Sequence, residues 1–567
     1  MSTDLLRNPL VGEGRTLIDD LLSEQKLLTP VAIFSHRHGG DTEPVQAKYY
    51  SDLIPLSRPA AGDQYAFVVD LDACTGCKAC VTACHNLNGL DDDETWRDVG
   101  VLFGGTALEP VQQTITTACH HCVDPACMNG CPVNAYDKDA VTGIVRHLDD
   151  QCIGCQYCIW KCPYDVPKYS KKRGIVRKCD MCSSRLAVGE APACVQACPN
   201  QAISITLINK QQIAQGWKQK DNFLPCSPDP GYTLPTTQYR TGKTLPANMR
   251  AGDFFKNQPG HAHQPLIAML VLTQLSAGAF CTTTILRLLF PSGQLRELMP
   301  FHSLVALLLG FLALGASTMH LGRPFEAWRS FVGLKTSWLS REIIVFGLFA
   351  MLALIYAGSF WLPTLPGLLN IPFWWELSSP QLQNAFGIGV TTTGLAGVFS
   401  SIMIYRDTRR TFWQMKFTAP KFAGTTLVLG PATILFTMML QSVFAPVIAA
   451  QSAFRDVVVL LCGFMTIAMT VKLLWELTVF TYVKDCEWTD MKRTALLMLG
   501  ALKLATVPRF ICGAIGGVVL PVFVAFNLLP PAFAIGILPF SLLGELLERY
   551  LFFAAAIPHK MPGGIAP

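Results

Sequence analysis

Charge is scarce in this 567-residue sequence: Asp, Glu, Lys and Arg make up only 15% of it, against about 25% in an ordinary soluble domain. The net charge of +5 is small for the length, so no nucleic-acid partner is expected. The opening MSTDLLRNPLVGEGRTLIDDLL has no basic stretch followed by an apolar core, and no twin-arginine pair. No export signal is therefore expected, and with it goes the reading of the cysteines as a secreted disulfide scaffold. Cysteine too is absent from most of the chain. Of 21 cysteines, sixteen lie between Cys74 and Cys198, and the others (Cys226, Cys281, Cys462, Cys486 and Cys512) are isolated.

Hydrophobic residues, at 51%, are plentiful, and they divide the chain into four zones. Residues 1–65 are a mixed, polar N-terminal extension in which LIDDLLSEQKLL reads as a short amphipathic helix. Residues 66–205 hold the cysteines between the short apolar runs YAFVVDLD and AISITLI, the outer strands of a small α+β ferredoxin-like unit. Residues 206–262, rich in Pro, Gly, Asn and Gln, read as an extended strap. Residues 263–567 carry eight apolar runs, centred on 265–290, 300–320, 341–362, 384–405, 423–443, 453–480, 509–528 and 533–555. Each is long enough to cross a bilayer, which takes about 20 residues. The basic amphipathic stretch 492–506 is expected at the interface. The fold class is thus a ferredoxin-like α+β domain with four clusters, followed by an all-α polytopic membrane domain of eight transmembrane helices.

The cysteines form four groups: Cys74, Cys77, Cys80 and Cys84; Cys119, Cys122, Cys127 and Cys131; Cys152, Cys155, Cys158 and Cys162; and Cys179, Cys182, Cys194 and Cys198. The spacing C-x2-C-x2-C-x3-C belongs to ferredoxins: three thiolates wrap one cubane and the fourth, next to Pro, completes a neighbouring one. A zinc site would more often show two CxxC pairs without the third close cysteine and the CP ending. Four groups imply four [4Fe–4S] clusters, and these are carriers of single electrons. The neighbouring Lys168, Lys171, Lys172, Arg173, Arg177 and Lys178 either offset cluster charge, dock a partner, or form a solvated basic face.

Residues 66–205 resemble the iron–sulfur subunit of dimethyl sulfoxide reductase and related molybdenum enzymes. The membrane zone resembles the anchor subunit of the same complexes, through HLGRP at 320–324, SWLSREI at 337–343 and GELLERYLFF at 544–553. The two subunits are usually separate chains, and the N-terminal extension has no counterpart. The resemblance implies that the first cysteine group pairs with the fourth and the second with the third. Cys198 would then join Cys74, Cys77 and Cys80; Cys84 would join Cys179, Cys182 and Cys194; Cys131 would join Cys152, Cys155 and Cys158; and Cys162 would join Cys119, Cys122 and Cys127. It also implies a quinone site at His320 and Glu342, with Gln274 offering a hydrogen bond to a quinone oxygen. The bland alternatives are a Glu342 that stabilises a helix start after Ser340 and a His320 that faces the headgroups. Arg323 and Arg341 are candidate orientation anchors.

No haem is expected, because the only histidines within the helices, His302 and His320, lie at opposite ends of one helix, roughly 27 Å apart. The loops on the cluster side carry Arg323, Arg329, Lys335, Arg341, Arg406, Arg409, Arg410, Lys416, Lys421, Lys484, Lys492, Arg493, Lys503 and Arg509, against Arg287, Arg296 and Arg455 opposite. The positive-inside rule then predicts clusters facing the cytoplasm from the inner membrane. The expected function is relay of electrons from quinol, menaquinol or ubiquinol, to a separate molybdopterin-containing reductase subunit, since this chain has no room for a molybdopterin domain. The alternatives are the reverse flow, from a dehydrogenase such as one for formate, and a redox-sensing transporter, although the eight runs show no convincing repeat.

Overall fold

The computed structural model describes residues 47–217, 223–290, 297–361, 379–444 and 452–561. The helix expected at LIDDLLSEQKLL, and Arg296, lie outside these residues. The strands are β1 (Asp63–Asp70), β2 (Asp98–Gly105), β3 (Pro110–Thr117), β4 (Tyr136–Lys138), β5 (Val145–His147), β6 (Lys168–Ser170), β7 (Ile175–Arg177), β8 (Ile203–Asn209), β9 (Gln238–Arg240) and β10 (Arg250–Ala251).

The two apolar runs that flank the cysteines are β1 and β8. They pair antiparallel from Asp63↔Asn209 to Val69↔Ile203, which closes the ends of the domain onto each other. Phe67, Val69, Ile203 and Ile205 are buried beneath them. The strap also has a structural part: β9 joins β1 in parallel, and β10 adds an edge to the β2–β3 hairpin. The hairpins β4–β5 and β6–β7 separate the inner cysteine groups.

Eight helices are long and apolar enough to span a membrane: α1 (Gln264–Leu289), α2 (Met299–Met319), α3 (Trp338–Trp361), α4 (Pro380–Arg406), α5 (Met415–Phe444), α6 (Phe454–Lys484), α7 (Lys503–Ala525) and α8 (Pro531–Ala554). Outward residues such as Leu308, Leu312, Met351 and Ile467 are exposed, as expected of a lipid-facing surface. Helix α1 is central and packs against α2, α4, α5 and α8. Its crossing with α5 needs glycine on both sides. A Cβ at Gly278 would come within 2.3 Å of the Thr426 carbonyl oxygen, and one at Gly430 within 2.4 Å of Gly278; close backbone approach of this kind is how small residues join membrane helices. The basic stretch near 492 forms a helix, Asp490–Leu499, started by Thr489, whose hydroxyl accepts from the Lys492 N–H at 3.2 Å.

The cluster-bearing domain sits on the α2–α3 and α4–α5 connections. Arg323 donates to the Asp149 carbonyl at 2.8 Å and Arg329 to that of Asp150 at 2.7 Å. Lys161 pairs with Asp407 at 2.7 Å, and Tyr157 donates to the Ile404 carbonyl at 3.0 Å. At the α2–α3 turn, three glycines stack backbone on backbone: a Cβ at Gly322 would lie 1.9 Å from the Gly174 carbonyl oxygen, and one at Gly154 2.9 Å from Gly322. The glycine of HLGRP is thus a docking contact. The C-terminal tail returns to the cluster side, where Lys560 pairs with Asp253 and Met561 is buried in the cluster-domain core.

Candidate functional site: cysteine cradles over a buried ionic cluster

Each cysteine group opens with the same local turn. The residue before the second cysteine has positive φ in all four: Gly76 at 75°, His121 at 41°, Gly154 at 71° and Met181 at 60°. Two of them are not glycine, and that strain marks a loop held for a purpose. The turn aims backbone N–H groups at sulfur, as Gly154 to Cys152 Sγ and Met181 to Cys179 Sγ, both at 3.4 Å. Short helices beginning at Ala79, Ala126, Tyr157 and Ala193 then carry later cysteines of each group.

The folded chain brings cysteines of different groups together. Cys74, Cys77, Cys80 and Cys198 line one cavity. A second is lined by Cys119, Cys122, Cys127 and Cys162. Cys131 lies within electrostatic reach of Cys152, Cys155 and Cys158. Cys84 is in the same relation to Cys182 and Cys194, and Cys179 to Cys119, Cys84 and Cys194. The two cavities thus bring Cys198 to the first group and Cys162 to the second. None of the sixteen forms a disulfide. Among the described residues no group of three metal-binding side chains converges closely enough for a single ion. Sulfurs ringing a cavity suit a cubane better than one zinc ion.

The electrostatics fit the same group. Burial pushes the Cys131 thiol up to about 11 and those of Cys162 and Cys182 up to about 12, so iron must displace their protons. Burial opposes ionisation of Cys152 too, but the hydrogen bond and charge of His147 outweigh it and hold this thiol below its usual range. Two cations are buried among the sulfurs. Arg97, 2% exposed, lies within electrostatic reach of Cys80, Cys84, Cys179 and Cys194, and its Nη2 has no hydrogen-bond partner. Lys178, equally buried, approaches Cys119 Sγ at 3.7 Å and donates to the Cys179 carbonyl at 2.8 Å. A buried cation is costly unless it faces negative charge, and an anionic iron–sulfur centre provides that. Of the basic residues near the fourth group, Arg177 and Lys178 are interior, while Lys171 is at the surface with its side chain 82% exposed. Arg177 pairs with the buried Glu94 at 2.9 Å. The sequence offered no sign of Arg97, which lies between motifs.

The third cysteine group meets the membrane bundle. Cys155 and Trp160 pack against the apolar core of the helices. The Trp160 ring lies 5.6–6.1 Å from those of His263, Tyr405, Trp413 and Phe553. At the other extreme Cys77 is exposed.

Of the proposed quinone residues, Glu342 is buried in the first turns of α3 and accepts a hydrogen bond from Ser401 of α4. Ser340 does not cap this helix; it donates to the Pro132 carbonyl at 3.2 Å. His320 closes α2, and its Nδ1 is buried without a hydrogen-bond partner. Gln274 is fully buried in α1 and accepts from Arg549 Nη2 at 3.0 Å. Among the described residues, the three make no hydrogen bond to one another: Glu342 bonds Ser401 and Gln274 bonds Arg549. His302 contacts Thr437 at 2.9 Å.

The sequence reading missed an ionic cluster within the bundle. Lys421 of α5, Lys472 and Glu476 of α6, Arg509 of α7, and Glu545, Glu548 and Arg549 of α8 are all buried. Arg509 makes a two-pronged bond to Glu476 at 3.0 and 2.8 Å and reaches Glu545 at 3.1 Å. Lys472 pairs with Glu545 and, at 3.3 Å, with Glu476. Lys421 lies 3.6 Å from Glu548. Lys421 and Arg509 are thus interior groups, contrary to their assignment to loops. Charges inside apolar runs were the available signal, but both fall near helix ends, where a loop explains them equally well.

Comparison with known proteins bears on both halves. Residues 111–207 match the 4Fe–4S dicluster domain, and residues 258–553 match the family described as DMSO reductase anchor subunit (DmsC). The cluster half is similar to the B subunit of the anaerobic dimethyl sulfoxide reductase of Haemophilus influenzae, 37% identical over 172 residues that make up 29% of this chain and 83% of that one. It is also similar to the Hydrogenase-2 operon protein HybA of Escherichia coli O157:H7, 33% identical over 33% of this chain and 64% of that one. The formate dehydrogenase-O iron–sulfur subunit of Escherichia coli K12 is 34% identical over 25% of this chain and 52% of its own.

Proposed function

Because the chain belongs to the DMSO reductase anchor subunit family, with the iron–sulfur subunit of such complexes fused ahead of the anchor, we propose that it oxidises membrane quinol and relays the electrons through four [4Fe–4S] clusters to a molybdopterin-containing catalytic subunit. It is an electron-transfer iron–sulfur subunit with its own multi-pass anchor, and complexes of this kind complete their reaction on a separate catalytic partner. When bound, each cluster takes up and gives back one electron.

The observation that carries the reading is the seat of Cys155 and Trp160 on the membrane core. From there the thiol sets follow in order. Cys131, Cys152, Cys155 and Cys158 would hold the centre nearest the membrane, and Cys119, Cys122, Cys127 and Cys162 the next. Lys178, within electrostatic reach of Cys119, Cys127 and Cys179, would link these to the set of Cys179, Cys84, Cys182 and Cys194. Cys74, Cys77, Cys80 and Cys198 come last, with exposed Cys77 facing the partner. At the membrane end, quinol loses two electrons and two protons. His320 is suited to accept a proton, and Glu342 to pass one onward. The basic connections that carry the cluster domain support a cytoplasmic orientation in the inner membrane.

The likeness to a formate dehydrogenase subunit supports the reverse flow as a second reading. Cluster potentials measured against the quinone pool decide between them. The test of the site is Glu342→Gln and His320→Leu. Each is expected to abolish quinol-driven cluster reduction while leaving iron content unchanged. Normal reduction kinetics in both would remove these residues from the site.

A further inference from the structure

We propose that Arg549 joins Gln274 in donating a hydrogen bond to an oxygen of the quinone head group, a role that rests on the quinone reading above. Arg549 is fully buried. One of its nitrogens is committed: Nη2 donates to Gln274 Oε1 at 3.0 Å and to Thr425 Oγ1 at 3.3 Å, and lies 3.4 Å from Glu548. Its Nε and Nη1 have no partner. A guanidinium can only donate, so Gln274 must turn its oxygen to Arg549. That leaves the Gln274 Nε2 amide group free as well, and it too is without a partner.

Donor groups left open at zero exposure inside a membrane domain call for an acceptor, because no water is there to complete them. The local charge says which kind. Lys421, Lys472, Arg509 and Arg549 face Glu476, Glu545 and Glu548, four cations against three carboxylates. The surplus positive charge favours an electron-rich oxygen and disfavours a cation. A quinone carbonyl meets this, and so does the more negative oxygen of a partly oxidised quinol.

Aromatic rings surround the guanidinium. The Arg549 guanidinium lies 3.8 Å over the Phe422 ring, and Phe552 flanks it at 5.5 Å. Tyr405 packs on both rings, at 5.7 and 5.1 Å, and on Trp160 at 6.1 Å. Trp160 belongs to the short helix that carries Cys158. Tyr405 also lies within electrostatic reach of Glu342. A head group held by Arg549 would thus stand beside Tyr405, which reaches Glu342 on one side and Trp160 on the other.

The test uses the purified full-length chain in lipid nanodiscs, titrated with a fluorescent hydroxyquinoline N-oxide as quinol analogue. Arg549→Gln is expected to weaken binding at least about tenfold, the loss of one charge-assisted hydrogen bond, and Gln274→Leu by a smaller factor, the loss of a neutral one, with iron content unchanged. In infrared difference spectra, the stretch of a 13C-labelled quinone carbonyl shifts upward in both variants. Wild-type affinity and an unshifted carbonyl in either assembled variant overturn the proposal. Should Arg549→Gln fail to assemble, Arg549→Lys, which keeps the charge but loses the Nε and Nη1 donors, decides by the same two readouts. Failure of the quinone reading itself is distinct: the wild-type chain would then bind neither probe.

Discussion

At the scale of single residues, a cysteine acts here through the charge around it as much as through its sulfur. Arg97 and Lys178 are buried where neutral thiols leave them uncompensated and anionic centres do not. Arg97→Gln is expected to lower the potentials of the centres held by the first and fourth groups by on the order of 60 mV, the one-electron equivalent of about 1.4 kcal/mol. Redox titration followed by EPR reads the shift. Removal of iron and sulfide reverses the compensation, so the apo domain is expected to lose its protected core, measured by hydrogen exchange at β1 and β8. The sixteen cysteines and their grouping were legible in the sequence because ligand spacing is local. Arg97 was not, because only folding carries the chain between motifs past four sulfurs.

At the scale of elements, all eight spans were legible, since length and apolarity suffice to place a helix in a bilayer. What those helices hold between them was not. Glu476 and Glu545 face Arg509 and Lys472 across three helices, and no one-dimensional pattern pairs residues on α6, α7 and α8. Removing one member leaves a buried charge without its partner, which costs roughly 3–5 kcal/mol. Glu476→Gln is therefore expected to lower the thermal unfolding temperature of the detergent-solubilised protein, and Glu476→Asp to lower it less. The α2–α3 turn makes a sharper case. Gly322→Val places a side chain where the Gly174 carbonyl already lies. The expected result is a cluster domain that assembles its iron but lifts from the bundle, seen as accelerated proteolysis near 206–262 and lost quinol-driven reduction.

At the scale of the molecule, the chain joins an iron–sulfur domain to a multi-pass membrane anchor. The strap that separates the two halves in sequence ties them in space: β9 and β10 complete the cluster-domain sheets before α1 begins. The C-terminal tail does the same from the other end, with Met561 in the cluster-domain core. Long-range pairing of this sort leaves little mark on composition, which is why the strap reads as a linker from sequence alone. Fusion of the two subunits fixes the third cysteine group over the bundle instead of leaving that contact to association. The most direct measurement is freeze-quench EPR of the anaerobically purified chain after mixing with a reduced quinol analogue. The account predicts a reduced [4Fe–4S] signal that grows in the wild type within turnover time and is lost in Glu342→Gln. A chain whose clusters respond to dithionite but give no signal with quinol would contradict it.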